Sequence, residues 1–187
     1  MSVPVLTTER LVLRGWREED RAPFAEMNAD PEVMEHFPAT MTRAESDAFV
    51  DRIEQHFADR GHGLWVVEAD GAFQGFTGLQ VPRFHADWMD GREQPVLEVG
   101  WRLRRSAWGR GWASEAAREC LRFAFEDVGR EEVVSFTVVG NVRSRAVMER
   151  IGMRLLTHYD HPVEGRDALP SVCYVVDAAG VVPWKTP

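Results

Sequence analysis

This 187-residue chain has only two cysteines, Cys120 and Cys173, and both lie in apolar segments, which excludes a disulfide framework. No apolar run approaches the roughly 20 residues needed to cross a bilayer, so no membrane association is expected. The start, Met1-Ser2-Val3-Pro4, lacks the basic residues and long apolar core of an export signal, and a cytoplasmic location is expected. The triplet Gly-Lys-Ser/Thr is absent, which excludes a nucleoside-triphosphate P-loop. The pair His158-x-x-His161 has no third ligand at metal spacing, so no metal is expected. A formal charge of −8 argues against nucleic acid as a partner.

What the chain does contain is an ordinary globular mixture, 44% hydrophobic and 28% charged, long enough to bury a core as a single domain over 1–187. Its charge is unevenly spread. Between Arg102 and Arg150 there are ten Arg against seven Asp or Glu, a basic stretch inside an acidic protein. An anionic ligand there and a cationic one elsewhere would fit, as would ordinary solvated surface.

Alternation over 10–14 predicts a short strand, and Glu18 to Asn28 a helix ended by Asp30-Pro31. Thr42 and Glu45 form a capping box for a helix reaching about Arg60, stopped by Gly61-His62-Gly63. Strands over 64–69 and 73–80 meet at Asp70-Gly71, a hairpin signal. A polar loop over 81–95 precedes a strand from Val96 to Leu103. A helix to about Asp127 follows, with Ala117, Leu121, Phe125 and Val128 as its apolar stripe, flanked by Cys120 and Ala124. Then come a strand over 132–139, a helix from Ser144 to Ile151 ended by Gly152, and strands over 153–159 and 172–178. Asp160-His161-Pro162 is expected to shape the last turn. There is no repeat or linker, and the fold class is α+β.

The segment Trp108-Gly109-Arg110-Gly111-Trp112-Ala113-Ser114-Glu115 follows a strand and opens a helix. Two glycines with small neighbours expose backbone N–H groups at the positive end of a helix dipole, which can hold a phosphate without lysine. A dinucleotide fold would also need an acidic residue ending the next strand. That strand ends Val139-Gly140-Asn141, and Glu131 and Glu132 stand at its other end. A plain strand–turn–helix corner is also compatible with the glycines.

A second segment lies in register with the first. The spacing N-x-x-S-x-x-x-M-x-x-x-G-M spans Asn141 to Met153. With E-V-G-W-R-L from Glu98 and the glycine turn, it resembles the GCN5-related N-acetyltransferase (GNAT) superfamily. The opening L-T-T-E-R-L-V-L-R to Arg14 is similar to the first strand of the RimJ/RimL-like branch. The resemblance covers nearly the whole chain. It implies an α/β/α layered GNAT fold, with a mixed, mostly antiparallel sheet splayed between the family's fourth and fifth strands and flanked by helices. It also implies acetyl-CoA as co-substrate, with no metal, and acetyl transfer to a primary amine, either a protein N-terminus or a small molecule. A monomer or homodimer is expected.

By the same resemblance, backbone at Trp101 and Leu103 pairs with the pantetheine arm as an added strand. Amides of Gly109, Arg110, Gly111, Trp112, Ala113 and Ser114 wrap the pyrophosphate. Trp108 stands where many members carry Gln or Arg, an aromatic choice common in that branch. Asn141 is expected to hydrogen-bond the arm, or else to cap the following helix. Ser144, three residues on, is the candidate partner of the leaving sulfur, or else satisfies backbone in the helix's first turn; the tyrosine acid of other branches is matched here by Met148. Glu98 is the candidate base, with removal expected to slow turnover more at low pH. Phe37, His85 and Trp88, with Trp16 and Phe84, lie on connections expected to ring the acceptor. The alternative function is a non-catalytic acyl-CoA-binding or regulatory module on the same scaffold.

Overall fold

The computed structural model describes residues 3–92, 94–163, 165 and 167–181. Strands β1 (Leu6–Thr7) and β2 (Val12–Arg14) precede helices α1 (Arg21–Ala29) and α2 (Arg43–Arg60). The hairpin of β3 (Leu64–Ala69) and β4 (Ala72–Gln80) leads to β5 (Glu98–Leu103) and α3 (Trp112–Glu126). The chain continues through β6 (Glu132–Val138), α4 (Val142–Arg150), β7 (Arg154–His161) and β8 (Leu169–Asp177). No helix of the described residues is long and apolar enough to cross a membrane.

Local chemistry explains most boundaries. Thr42 Oγ1 accepts from Glu45 N–H while the Glu45 carboxylate accepts from Thr42 N–H, the expected capping box, and Gly61 ends α2 at φ 72°. Asp70 and Gly71 turn the hairpin with φ of 51° and 73°. Three expectations shift. Glu18 to Asp20 form a 3-10 turn, and α1 begins after it. Helix α4 begins at Val142, before Ser144, because Asn141 caps it. Strand β7 runs through His161, so that residue belongs to the sheet and not to a turn.

The eight strands form one sheet in the order β1-β2-β3-β4-β5-β6-β8-β7. Every neighbouring pair is antiparallel except β5 and β6, which run parallel through one residue pair, Glu98 with Val134. Beyond that pair the two strands part, giving the splay expected of the family's fourth and fifth strands. Consecutive β4 residues mark the two faces of the sheet. Phe76 packs edge-on to Phe24 of α1 and Phe49 of α2. Thr77 points the other way, to Cys120 of α3.

Helix α3 is held close to the sheet by small residues. Its buried face is Ala116, Ala117, Cys120, Leu121 and Ala124, while Phe125 and Val128, expected on that face, are half-buried, Val128 lying beyond the helix end at Glu126. Its first turn is tied to the N-terminal segment. The buried Glu115 carboxylate accepts from Thr8 Oγ1 at 2.6 Å, from Arg10 N–H at 3.0 Å and from Arg10 Nε at 2.7 Å. Both cysteines are buried and unbridged, and burial pushes their thiols up to about 12.

At the far end of α2, His56 and His62 meet with ring centroids 5.5 Å apart. His56 Nε2 and His62 Nδ1 are buried without partners. Burial, reinforced by its neighbour, lowers His62 to about 4. A histidine depressed in the fold contributes stability above its unfolded value near 6.5 and loses it as pH falls through the folded one. Stability is therefore expected to drop between pH 6.5 and 4, with His62 accounting for up to about 3 kcal/mol of the loss. Chemical denaturation of His62→Gln across that range is expected to give a shallower acid limb than the parent chain.

Candidate active site

A cavity of about 920 Å³ opens where β5 and β6 part. It brings together Glu98, Trp101, Leu103, Trp108 and the glycine turn with Asn141 and Ser144 of the second segment. Residues from two motifs well separated in sequence thus face one space, because α3 carries the chain from β5 to its parallel neighbour.

The backbone supplies one wall. Leu97 C=O accepts from Val134 N–H at 2.9 Å, and Leu103 C=O accepts from the Trp108 indole at 2.9 Å. Both carbonyls point away from β4, so the alternating residue between them, Trp101, also turns its backbone toward the gap. Among the described residues, no strand pairs with Trp101 on that side. Leu103 differs, since its carbonyl already holds Trp108.

The glycine turn has the conformation its composition foretold. Gly109 and Gly111 both sit at φ 77°, in the left-handed region that disfavours side chains. Gly111 caps α3 without a side chain, and the first helical N–H to reach a carbonyl is that of Glu115, on Gly111. The N–H groups of Gly109 to Ser114 have no hydrogen-bond acceptor among the described residues. Six free donors at a helix N-terminus in a basic stretch fit a pyrophosphate. Arg143 and Arg105 stack on the two-ring surface of Trp108, at 4.3 and 4.8 Å from its centroid. Arg110 lies over Trp112, and the buried Ser114 hydroxyl accepts from Arg150 at 3.2 Å.

Asn141 performs the capping role. Its Oδ1 accepts from Ser144 N–H at 3.1 Å and its amide donates to Thr137 Oγ1 at 3.0 Å. One amide hydrogen stays available. The Ser144 hydroxyl has no partner among the described residues, while Met148 is fully buried on the cavity wall. Neither tyrosine lines the cavity; Tyr174 is held by Glu149 and Arg145.

Glu98 sits at the vertex of the splay, 6% exposed. Its one hydrogen bond is from Gln80 Nε2 to Oε2 at 2.8 Å, and no basic side chain lies within ion-pair distance among the described residues. Burial raises its carboxyl to about 7, against the smaller opposing effect of Gln80. A carboxyl with that value is mostly protonated at pH 5 and carries its charge only above about 7.

The acceptor residues divide. Phe37, 42% exposed, lines the cavity from the connection between α1 and α2. His85 and Trp88 do not line it. Trp88 packs over Val134, Cys173 and Val175 beside Phe84 and Tyr159, and His85 faces Asp90 in solvent. Trp16 is a packing residue on Phe24 whose indole donates to Leu64 C=O. Exposed His85, Asp87 and Asp90 could gather a cation, though exposed acids cluster without one. Gln80, Arg102 and His161 line the cavity unforeseen. Gln80 could have been found from the hairpin, since its register places it opposite Glu98.

Comparison with known proteins follows the same lines. A family model for the acetyltransferase (GNAT) domain matches residues 10–154. The FsC-acetyl coenzyme A-N(2)-transacetylase of Aspergillus fumigatus is 34% identical over 176 residues, 87% of this chain and 72% of its own. The uncharacterized protein YkkB of Bacillus subtilis is 30% identical over 84% of this chain and 87% of its own. A GNAT-family acetyltransferase from Bacillus anthracis superposes with TM-score 0.75 at 22% identity, over 93% of this chain and 98% of its own. A RimL ribosomal protein acetyltransferase in complex with coenzyme A reaches 0.72 at 15% identity, with the same coverage. These two likenesses concern the fold. Fold and family together define an acyltransferase. The chain belongs to the acetyltransferase (GNAT) family, whose members use acetyl-CoA.

A Cβ at Gly109 would meet nothing within 4 Å, so Gly109→Ala strains only the backbone, by about 1 to 2 kcal/mol. Calorimetric titration is expected to show weaker acetyl-CoA binding, with folding retained.

Proposed function

We propose that this enzyme transfers the acetyl group of acetyl-CoA to a primary amine by direct attack, with Glu98 as general base. The observation that carries the reading is a buried carboxyl, raised to about 7 by burial, at the vertex of the β5–β6 gap and lining the same cavity as an open run of N–H donors. A carboxylate in ordinary surroundings titrates too low to take a proton efficiently near neutrality, and this one is poised there. The relative named for N(2) transacetylation supports an amine acceptor, and the RimL neighbour supports the RimJ/RimL-like branch. A protein N-terminus or a small amine is the acceptor class.

The donor supplies an activated thioester carbonyl. The chain's own residues do the rest. Amides from Gly109 to Ser114 hold the pyrophosphate, and the Trp101 backbone lies along the pantetheine arm, with the free Asn141 amide hydrogen at its end. Glu98 accepts the proton of the attacking amine. Backbone N–H near Trp101 or Leu103 faces the oxyanion. Ser144 donates toward the departing sulfur, a weakly basic group that needs little help. No covalent enzyme intermediate is involved.

Glu98→Gln tests the reading through two signatures. The parent's kcat is expected to rise through an apparent value near 7, and the variant is expected to lose this limb and at least about a hundredfold in rate at pH 8. The folded carboxyl is raised above its unfolded value, so its contribution to stability is present below about 4.5 and lost as pH rises through 7. At pH 8 the buried charge costs roughly 3 kcal/mol, and the variant is expected to melt higher than the parent there but not at pH 5. An unchanged pH–rate profile would sink the assignment. Tight acetyl-CoA binding with no CoA release on any amine would instead favour the non-catalytic module.

A further inference from the structure

The proposed acceptor side of the cavity has its own polarity, set by one strand face. Cα partners in an antiparallel ladder share a face, so Glu98, Gly100 and Arg102 stand with Gln80, Gly78 and Phe76, under α1 and α2. Glu98 and Arg102 are four residues apart, about 13 Å along the strand. Between them Gly100 leaves the floor without a side chain. A carboxylate stands at one end of this trough and a guanidinium at the other, on the face opposite α3 and its glycine turn.

Arg102 is a cation whose usual partners are missing. Its Nη1 donates to Asn28 Oδ1 at 2.6 Å, a neutral acceptor. Its Nε is buried with no acceptor, and no carboxylate is within ion-pair distance among the described residues. Burial alone pulls its value down to about 10. Phe76 lies beneath the guanidinium at 5.4 Å, and Phe37 covers it at 4.1 Å. Nearby acids are engaged elsewhere, Glu32 with Arg105 and Glu35 with Arg143. A buried charge without a counter-ion is costly, and a planar anion that could occupy the side of the fork left free by Asn28 would remove that cost. At the other end, Phe136 and His161 stack beside Glu98's part of the cavity and suit an amine.

We propose that Arg102 is a specificity residue that receives a carboxylate carried by the acceptor, so that the enzyme selects linear amino acids whose terminal amine and carboxylate span the trough from Glu98 to Arg102. This rests on the acetyl-transfer reading above. The overall acidity of the chain favours cationic acceptors, and Arg102 opposes that preference locally.

A matched panel tests it: aminohexanoate and aminooctanoate against hexylamine and octylamine, with the corresponding diamines, followed by CoA release. The carboxylate members are expected to exceed the neutral amines in kcat/KM by at least about tenfold, with the diamines lowest. Arg102→Gln is expected to bring that ratio close to one. Arg102→Lys, which keeps charge but not the fork, is expected to retain part of it. A purely structural Arg102 would lower all rates together and leave the ratio alone. Equal rates for carboxylate and neutral amines overturn the proposal without any variant, as does a preference that survives Arg102→Gln. Absence of product with every amine overturns acetyl transfer itself, whereas product without discrimination overturns only the role of Arg102.

Discussion

The departure of β6 from β5 after a single residue pair is the constraint on which the rest of this molecule depends. A parallel pair that zipped fully would bury the Trp101 backbone in a ladder and leave no cavity. Because pairing stops at Glu98 and Val134, the sheet has an internal edge, and such an edge offers unpaired backbone donors and acceptors to an added strand. Glu98 at the vertex of the gap is buried, which raises its carboxyl to about 7.

The covalent path of the chain reinforces the gap. Strand β5, the glycine turn and α3 are continuous, so the unsatisfied end of α3 is delivered to the mouth of the opening that β5 borders. Trp108 fastens the corner by bonding the last carbonyl of β5, and its ring carries Arg143 from α4, which in turn reaches Glu35 on the α1–α2 connection. The two banks of the cleft are bridged by this chain of contacts outside the ladder.

Features decided by neighbours in sequence were legible before the fold. The Thr42–Glu45 box, the Asp70-Gly71 turn and the two left-handed glycines each follow from local sterics or a short hydrogen bond. The gap was legible only through resemblance to a family, since the residues of β5 and β6 look like those of any buried strand. His85 and Trp88 were misplaced because the course of a loop depends on what it packs against, and Trp88 found a separate apolar cluster. Arg102 was invisible for the opposite reason. An arginine between Trp101 and Leu103 reads as ordinary alternation, and its lack of an acidic partner is a fact about Asn28 and Phe37, which are distant in sequence.

Glu115 carries a consequence of another kind. It is an acidic side chain in the first turn of α3, where it partly neutralises the helix end that the anion needs, and Arg10 and Thr8 draw its charge away toward the N-terminal segment. The field at the glycine turn is therefore set partly by residues more than a hundred positions upstream. For an anion held at that turn as proposed above, docking of the leading segment would be one half of a single electrostatic balance, each favouring the other.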